Sequence, residues 1–205
     1  MSTSPNPPQT PFSGKFPPRK PHNARVRPRE YLTGEEVRRL MQAARRTGRH
    51  PHRDATLILI SYRHALRVSE VVALRWDRVD LRHGRLHVER LKRGVPSVHP
   101  LRGPEIRSLR KLQRDSPVSP YVFVSERGGP LSDSGVGKIV ARAGAVAGLK
   151  FPVHPHMLRH ATGYKLANDG HDTRAIQQYL GHKSIQHTVR YTQLSALRFR
   201  DFWND

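Results

Sequence analysis

The sequence contains no cysteine, which excludes disulfide bonds and metal sites built on thiolates. Long apolar runs are also absent, since no stretch approaches the ~18 residues that a membrane-spanning helix requires. The N-terminus lacks the charged-then-apolar order of a secretory signal peptide. Together these absences predict a cytoplasmic protein that has no membrane partner.

Acidic residues are scarce. Only 16 Asp and Glu stand against 37 Lys and Arg, so the formal net charge is +21 and the isoelectric point is near 11.5. Such a charge favours polyanionic partners, nucleic acid first and an anionic membrane surface second. The few acids form no D-x-D cluster that would hold Mg²⁺, and no P-loop for ATP is present. The sequence therefore predicts no metal and no cofactor.

The first 30 residues differ in composition from the rest of the chain. They contain eight prolines and six basic residues with a single acid, Glu30, and cannot bury enough surface to fold alone. We expect an extended or disordered arm over residues 1–30, either a solvated leader or a strand that lies along DNA phosphates. Four of its cations are candidate DNA contacts: Arg19, Lys20, Arg25 and Arg27.

The ordered chain is predicted to be mainly α with a small antiparallel β-sheet, an α+β domain over residues 31–193. A capping box at Thr33 and Glu36 opens its first helix. Two alternating segments, 85–90 and 95–101, predict a β-hairpin, and Y-V-F-V at 121–124 predicts another short strand. Helical spacing predicts further helices at about 54–62, 68–74, 104–113, 132–147, 155–166, 172–181 and 188–191. The last segment, 194–205, carries apolar anchors suited to packing on a neighbouring subunit.

The stretch H-P-H-M-L-R-H, at 154–160, contains the pair His156 and Arg159. Their spacing of three places both side chains on one face of a helix, where a guanidinium fork and an imidazole can grip a phosphate. Arg67, in H-A-L-R-V-S-E, is a second candidate clamp, and Glu70 on the same helix can orient it. Salt bridges between residues three apart on a helix, and short histidine motifs, also occur as ordinary surface features without a catalytic role. In particular, H-x-x-x-H lacks the glutamate and third ligand of a zinc site.

Three more residues complete a candidate centre for phosphodiester chemistry. His182 follows a helix-ending glycine, Tyr191 offers a hydroxyl nucleophile, and Lys92 at the hairpin turn can protonate a leaving oxygen. Each of these residues also has a structural interpretation. His182 could be a histidine stabilised by the helix dipole, and Tyr191 could be a packing aromatic. If the register of the turn shifts, Arg90 or Arg93 could take the place of Lys92. The order of all six in the chain favours the catalytic reading. Further candidates are His160 in support of the site, and Arg90, Arg93 and Lys183 as DNA contacts.

The chain resembles the tyrosine recombinases of the phage-integrase family, most of all the small fimbrial phase-switch recombinases. Six segments carry the resemblance between residues 31 and 192: Y-L-T-G-E-E-V, H-A-L-R-V-S-E, R-L-K-R-G, H-P-H-M-L-R-H, Y-L-G-H and H-T-V-R-Y-T. The resemblance implies that Arg67, Lys92, His156, Arg159 and His182 surround a scissile DNA phosphate, and that Tyr191 forms a 3′-phosphotyrosyl link. The chain departs from the family pattern in two ways. It has no room for the family's N-terminal DNA-binding domain, and it has Ala65 where glycine is usual. A helix at this position would tolerate alanine.

The implied partners are double-stranded DNA at paired recombination sites, further copies of the chain in a homo-oligomer on DNA, expected to be a tetramer, and accessory DNA-bending proteins. Inversion, integration and excision remain equally open, as does the biological target. Two rival functions are a DNA-binding regulator that has lost the chemistry and a type IB topoisomerase. The regulator would leave no covalent adduct on DNA, and the topoisomerase would relax supercoils without paired sites.

Overall fold

The computed structural model describes residues 29–90 and 94–193. This part of the chain is mostly helical, with one three-stranded antiparallel sheet of order β1-β2-β3. Its elements follow in chain order: α1 (Gly34–Arg46), α2 (Pro51–Arg63), α3 (Val68–Val72), a 3₁₀ turn (Trp76–Arg78), β1 (Val79–Asp80), β2 (Arg85–Val88), β3 (Ser97–Pro100), α4 (Gly103–Asp115), α5 (Asp133–Val146), α6 (Pro155–Asn168), α7 (Thr173–Leu180) and α8 (Gln186–Thr192). The predicted fold class is confirmed.

Helix α1 begins at the predicted capping box. The Thr33 hydroxyl accepts a hydrogen bond from the Glu36 amide at 3.2 Å, and the Glu36 carboxylate accepts one from the Thr33 amide at 2.8 Å. Val37 and Leu40 on the inner face are fully buried. The helix packs on α2 and α5 and closes one side of the main core.

Helix α2 runs through the centre of the domain. It packs against α1, α4 and α6, and Leu57, Ile58 and Ile60 are fully buried. A helix that is apolar on most of its faces is typical of such a central position. It begins at Pro51, earlier than the predicted residue 54, because a proline suits the first turn of a helix, where its missing N–H costs nothing.

The predicted hairpin is present as β2 and β3. Leu86 pairs with His99, and Val88 pairs with Ser97. Alternating burial turns Leu86 and Val88 toward the core. The sheet gains a short strand, β1, which the sequence did not predict. The prediction of a strand at 121–124 is wrong: this buried segment makes only isolated bridges, at Tyr121 and Val124, because it has no neighbouring strand to form a ladder.

The turn between α2 and α3 departs most from the sequence-based expectation. Arg67 lies at the N-cap of α3, with φ −71° and ψ 157°, rather than inside a helix. Ala65 adopts φ +51°, the left-handed region that favours glycine. The expectation that helix geometry would tolerate alanine here is therefore wrong, because Ala65 is not helical. The turn directs the Ala65 carbonyl toward two buried arginines, as described below.

A second, smaller apolar cluster joins the C-terminal helices to this turn. It consists of Ala65, Ala167, Ile176, Leu180 and Tyr191. Helices α6, α7 and α8 thus share one small core, which holds the C-terminal part of α6 and the end of α7 against the turn that precedes Arg67. None of the helices within 29–90 and 94–193 combines the length and the apolar character needed to cross a bilayer.

Candidate active site

Arg159, on the second turn of α6, lies at the centre of the site. Only 1% of it is exposed, and its two terminal nitrogens donate to the carbonyl oxygens of Ala65 at 2.5 Å and Leu180 at 2.6 Å. Burial, and then the charges of Arg67 and Arg90, lower the pKa of this guanidinium to about 9. One side chain therefore ties the turn before α3 to the end of α7, and it remains cationic at neutral pH.

Arg67 faces the same space and is held by Glu70. The Arg67 guanidinium donates to Glu70 Oε1 at 2.7 Å, and the Arg67 amide donates to Glu70 Oε2 at 2.9 Å. Burial alone would raise the pKa of Glu70, but the backbone hydrogen bond from Arg67 and the charge of Arg90 hold that pKa below its ordinary value. The carboxylate therefore stays ionised and fixes the direction of the Arg67 side chain.

Arg90 is a correction to the sequence-based prediction of a DNA contact. Its side chain is 0% exposed and donates to Glu70 Oε2 at 2.9 Å and to the carbonyl oxygens of Ala65, His64 and Tyr179. A guanidinium enclosed by a carboxylate and three carbonyls cannot reach a DNA phosphate. Arg90 instead joins strand β2 to the turn before α3 and to α7.

Two histidines on α6 line the site beside Arg159. His156 and His160 pack edge to face with their ring centroids 4.4 Å apart. Desolvation of the ring by the surrounding side chains, and then the charge of Arg159, lower the pKa of His156 to about 4, although part of the residue is exposed at the mouth of the site. Burial, and then His156, lower the pKa of His160 to about 3. Both rings are therefore neutral at pH 7 in the DNA-free protein.

His182 follows the end of α7. Gly181 adopts φ +65° there, which turns the chain sharply so that the histidine faces the site. His182 Nδ1 lies 2.9 Å from the Thr188 hydroxyl, and the ring stacks on Tyr191 with centroids 6.3 Å apart. Burial, and then the charges of Arg159 and Arg67, lower the pKa of His182 to about 3.

Tyr191, on α8, is 2% exposed, and its hydroxyl oxygen lies 2.8 Å from His160 Nδ1. Its ring rests on Gly163 of α6, where an added Cβ would come within 2.8 Å of Tyr191 Cζ. Burial raises the pKa of the phenol, and the charges of Arg190 and Arg159 act in the opposite direction. The hydroxyl is therefore protonated and held against α6 in the DNA-free protein.

These side chains meet at one cavity of about 230 Å³. It brings together five of the six predicted site residues and the predicted supporting histidine. A larger surface cavity of about 480 Å³, between α2 and α5, contains none of them. The lining residues of the smaller cavity are Arg67, His156, Arg159, His160, His182, His187, Arg190 and Tyr191.

Some predicted residues fall elsewhere. Lys183 is exposed, immediately after His182. The other cations proposed for the site or for DNA contact lie outside the described residues: Lys92, Arg93, Arg19, Lys20, Arg25 and Arg27.

The sequence analysis did not predict three residues that shape the site. Arg190 lines the cavity, Thr188 is buried against His182, and Gly163 makes room for the tyrosine ring. Gly163 left a detectable signal, because glycine is unfavourable inside a helix and is retained there mainly where another group approaches closely. Arg190 was visible only as the cation next to Tyr191.

The cavity is suited to an oxyanion. Three guanidinium groups, those of Arg67, Arg159 and Arg190, share it with four imidazoles and a phenol. Within the described residues, no three His, Asp or Glu side chains are grouped so that they could hold a metal ion.

The model of the phage integrase family matches residues 30–198. The type 1 fimbriae regulatory protein FimE of Escherichia coli strain K12 is 45% identical over 181 residues, which cover 85% of this chain and 91% of FimE. The chain belongs to the phage integrase family and is a tyrosine recombinase, an enzyme that breaks and rejoins DNA strands.

Solved structures share the fold. The XerA recombinase aligns with a TM-score of 0.71 at 27% identity, over 85% of this chain and 64% of that one. The XerH site-specific recombinase bound to difH substrate, in a pre-cleavage complex, aligns with a TM-score of 0.72 at 22% identity, over 86% of this chain and 54% of that one. The present chain thus corresponds to between about half and two thirds of these longer recombinases.

Proposed function

We propose that this cavity binds the scissile phosphate of DNA and that Tyr191 is the nucleophile of a site-specific recombinase. The observation that carries the proposal is the convergence of Arg67 and Arg159 with Tyr191 on one cavity, although these residues are far apart in sequence. A phosphodiester repels nucleophiles until its non-bridging oxygens are neutralised, and two guanidinium forks supply that neutralisation without a metal.

The proposed chemistry conserves the phosphodiester energy. The Tyr191 oxygen attacks phosphorus, the bond to the 5′-oxygen breaks, and a 3′-phosphotyrosyl link replaces it. The 5′-oxygen leaves with a proton, for which Lys92 is the proposed donor, and the phenol proton passes to a neighbouring base. Attack by the 5′-hydroxyl of a partner strand then reverses the sequence and releases Tyr191. No ATP is consumed, because the covalent link retains the energy of the broken bond.

The histidines assist this reaction in the proposal. His156 and His182, neutral in the DNA-free protein, can donate to the bound phosphate, whose charge also favours their protonation. His160 lies 2.8 Å from the Tyr191 hydroxyl and is placed to accept its hydrogen bond. Glu70 positions Arg67 and does not touch DNA.

We infer that the substrates are paired double-stranded DNA sites and that the chain acts in the cytoplasm as a homo-oligomer, a tetramer in which each protomer cuts one strand. Residues 194–205 are proposed to pack on a neighbouring subunit, and the basic arm and accessory DNA-bending proteins are proposed to hold the DNA. Similarity to a fimbriae regulatory protein supports DNA inversion in phase variation over integration or excision.

A plasmid assay tests the proposal. The DNA that flanks the coding region is sequenced, and a segment bounded by short inverted repeats, which the proposal predicts there, is cloned and incubated with the purified protein. A recombinase inverts the segment between the repeats and needs both of them. Relaxation of supercoils on a plasmid without repeats would favour the topoisomerase, and binding without any strand breakage would favour the regulator.

A further inference from the structure

Arg190 is the cation in the cavity that the predicted set of catalytic residues leaves without a role. It precedes Tyr191 on α8 and lines the same cavity as Arg67 and Arg159. Its guanidinium carbon lies 5.6 Å from the centroid of the Tyr191 ring. A positive charge at that distance favours the phenolate and attracts any anion that enters the cavity.

The guanidinium of Arg190 already has a carboxylate partner in the DNA-free protein. It forms an ion pair with the carboxylate of Glu30, at the start of the described chain and 160 positions away in sequence. The two side chains are 42% and 60% exposed. An ion pair this exposed is weak, so a competing anion can displace the carboxylate.

Neighbouring contacts hold Glu30 at this place. Arg29 donates to Glu36 of α1 at 2.7 Å, and the Tyr31 ring packs on Tyr164 of α6 with centroids 4.1 Å apart. Tyr164 in turn packs edge to face on Tyr191, at 5.0 Å. The segment around Glu30 is therefore anchored on both sides and presents a single carboxylate to the rim of the cavity.

We propose that Arg190 is a further phosphate-contacting residue of the active site and that the Glu30 carboxylate occupies its guanidinium until DNA displaces it. The DNA phosphate and the carboxylate are both oxyanions that match the same guanidinium fork. While it is paired with Arg190, Glu30 lowers the net positive charge at the cavity by one. When Glu30 is displaced, the Arg190 guanidinium is free to interact with the phosphate and with Tyr191. The inference rests on the proposed function, because it requires the phosphate to bind in this cavity.

The first experiment measures binding without chemistry. DNA affinity is determined at several salt concentrations in the Tyr191→Phe background, which lacks the proposed nucleophile. Adding Arg190→Gln is expected to reduce the salt slope of log K by about one, as the loss of one phosphate contact requires. An unchanged slope would overturn the inference.

The second experiment measures the rate of adduct formation on a suicide substrate with an intact Tyr191. Arg190→Gln should slow the reaction by about tenfold to a hundredfold, as expected for a lost hydrogen bond to a charged group, and Arg190→Lys should restore part of the rate. Glu30→Gln should accelerate it by about two- to fivefold, the scale of an exposed ion pair. The matched control is Glu89→Gln, which removes a similarly exposed pair with Arg78 and should leave the rate unchanged.

A double variant separates the two possible roles of Glu30. If Glu30 masks Arg190, its effect on the rate disappears when Glu30→Gln is combined with Arg190→Gln. A slower reaction in Glu30→Gln alone would show that the pair positions α8, and would overturn the inference. Failure of the proposed function would give a different result: neither the wild-type protein nor Glu30→Gln would form an adduct on Tyr191.

Discussion

Glu70 is the residue on which the arginine arrangement depends most. Its side chain is 1% exposed and balances both Arg67, which faces the cavity, and Arg90, which is 0% exposed. Removing one partner of a buried ion pair leaves an uncompensated charge, which costs more than the pair itself contributed.

We therefore expect Glu70→Gln to lower the free energy of unfolding by about 3 kcal/mol, because the amide cannot balance two guanidinium groups. Urea denaturation at pH 7 measures the change. Glu89→Gln is the matched control, since its pair with Arg78 is exposed and its loss should cost no more than about 0.5 kcal/mol. Equal losses in the two variants would contradict this account of Glu70.

For single residues, the sequence predicted which side chains form the site better than it predicted how each side chain is oriented. The order of Arg67, His156, Arg159, His182 and Tyr191 was sufficient to predict a common site, and the cavity contains all five. The inward direction of Arg90 was signalled by its alternation with the buried Leu86 and Val88, but the positive charge of Arg90 favoured the prediction of a DNA contact. The left-handed turn at Ala65 was hidden, since alanine gives no signal of positive φ.

Helices α6 and α8 contact each other through a glycine. Gly163 lies where the Tyr191 ring crosses α6, and a methyl group there would come within 2.8–2.9 Å of three ring atoms. Contacts that short require the ring or the whole of α8 to shift. The glycine therefore sets the position of the proposed nucleophile, at a cost in helix propensity.

Gly163→Ala should reduce the rate of adduct formation by about a hundredfold, because a displacement of about 1 Å at a reacting group has effects of that size. DNA affinity should stay close to wild type, since the phosphate contacts are unchanged. The matched control is Gly137→Ala in α5, where an added Cβ meets nothing within 4 Å. That variant should keep full activity and gain up to about 1 kcal/mol in stability. Full activity in Gly163→Ala would contradict this account of the contact between α6 and α8.

Elements with strong local signals were predicted well. The capping box of α1, the hairpin and the glycine that ends α7 are each determined by residues close together in the sequence, and each is found in the structure. Elements that depend on partners distant in the sequence were not predicted correctly. Strand β1 exists only because β2 lies beside it, and the buried segment at 121–124 lacks a neighbour that would make it a strand.

The molecule as a whole carries several histidines that burial keeps neutral. The pKa of His99, on β3, is lowered to about 3 by burial and then by His64, and those of His160 and His182 are also lowered to about 3. The unfolded chain binds protons at these groups near pH 6.5, whereas the folded protein resists protonation until much lower pH. Unfolding therefore takes up protons between about pH 6.5 and 3.

Stability should be greatest above about pH 6.5 and should fall steadily as the pH decreases toward 4, because the unfolded state gains protons over that range. The lowered carboxyl pKa values of Glu70 and Glu105 act in the same direction below about pH 4.5. Urea denaturation at pH 7.5, 6.0 and 5.0 measures the trend. A free energy of unfolding that stays constant or rises on acidification would show that these histidines are not buried in neutral form.

The central claim is that Tyr191 becomes covalently joined to DNA within a cavity formed by Arg67, Arg159 and the histidines. The most direct test incubates the protein with a nicked suicide substrate from its own recombination site and identifies the DNA-linked peptide by mass spectrometry. The account predicts a 3′-phosphate ester on Tyr191 in the wild type, and no adduct but nearly unchanged DNA binding in Tyr191→Phe. An adduct on any other residue, or cleavage that persists in Tyr191→Phe, would contradict it.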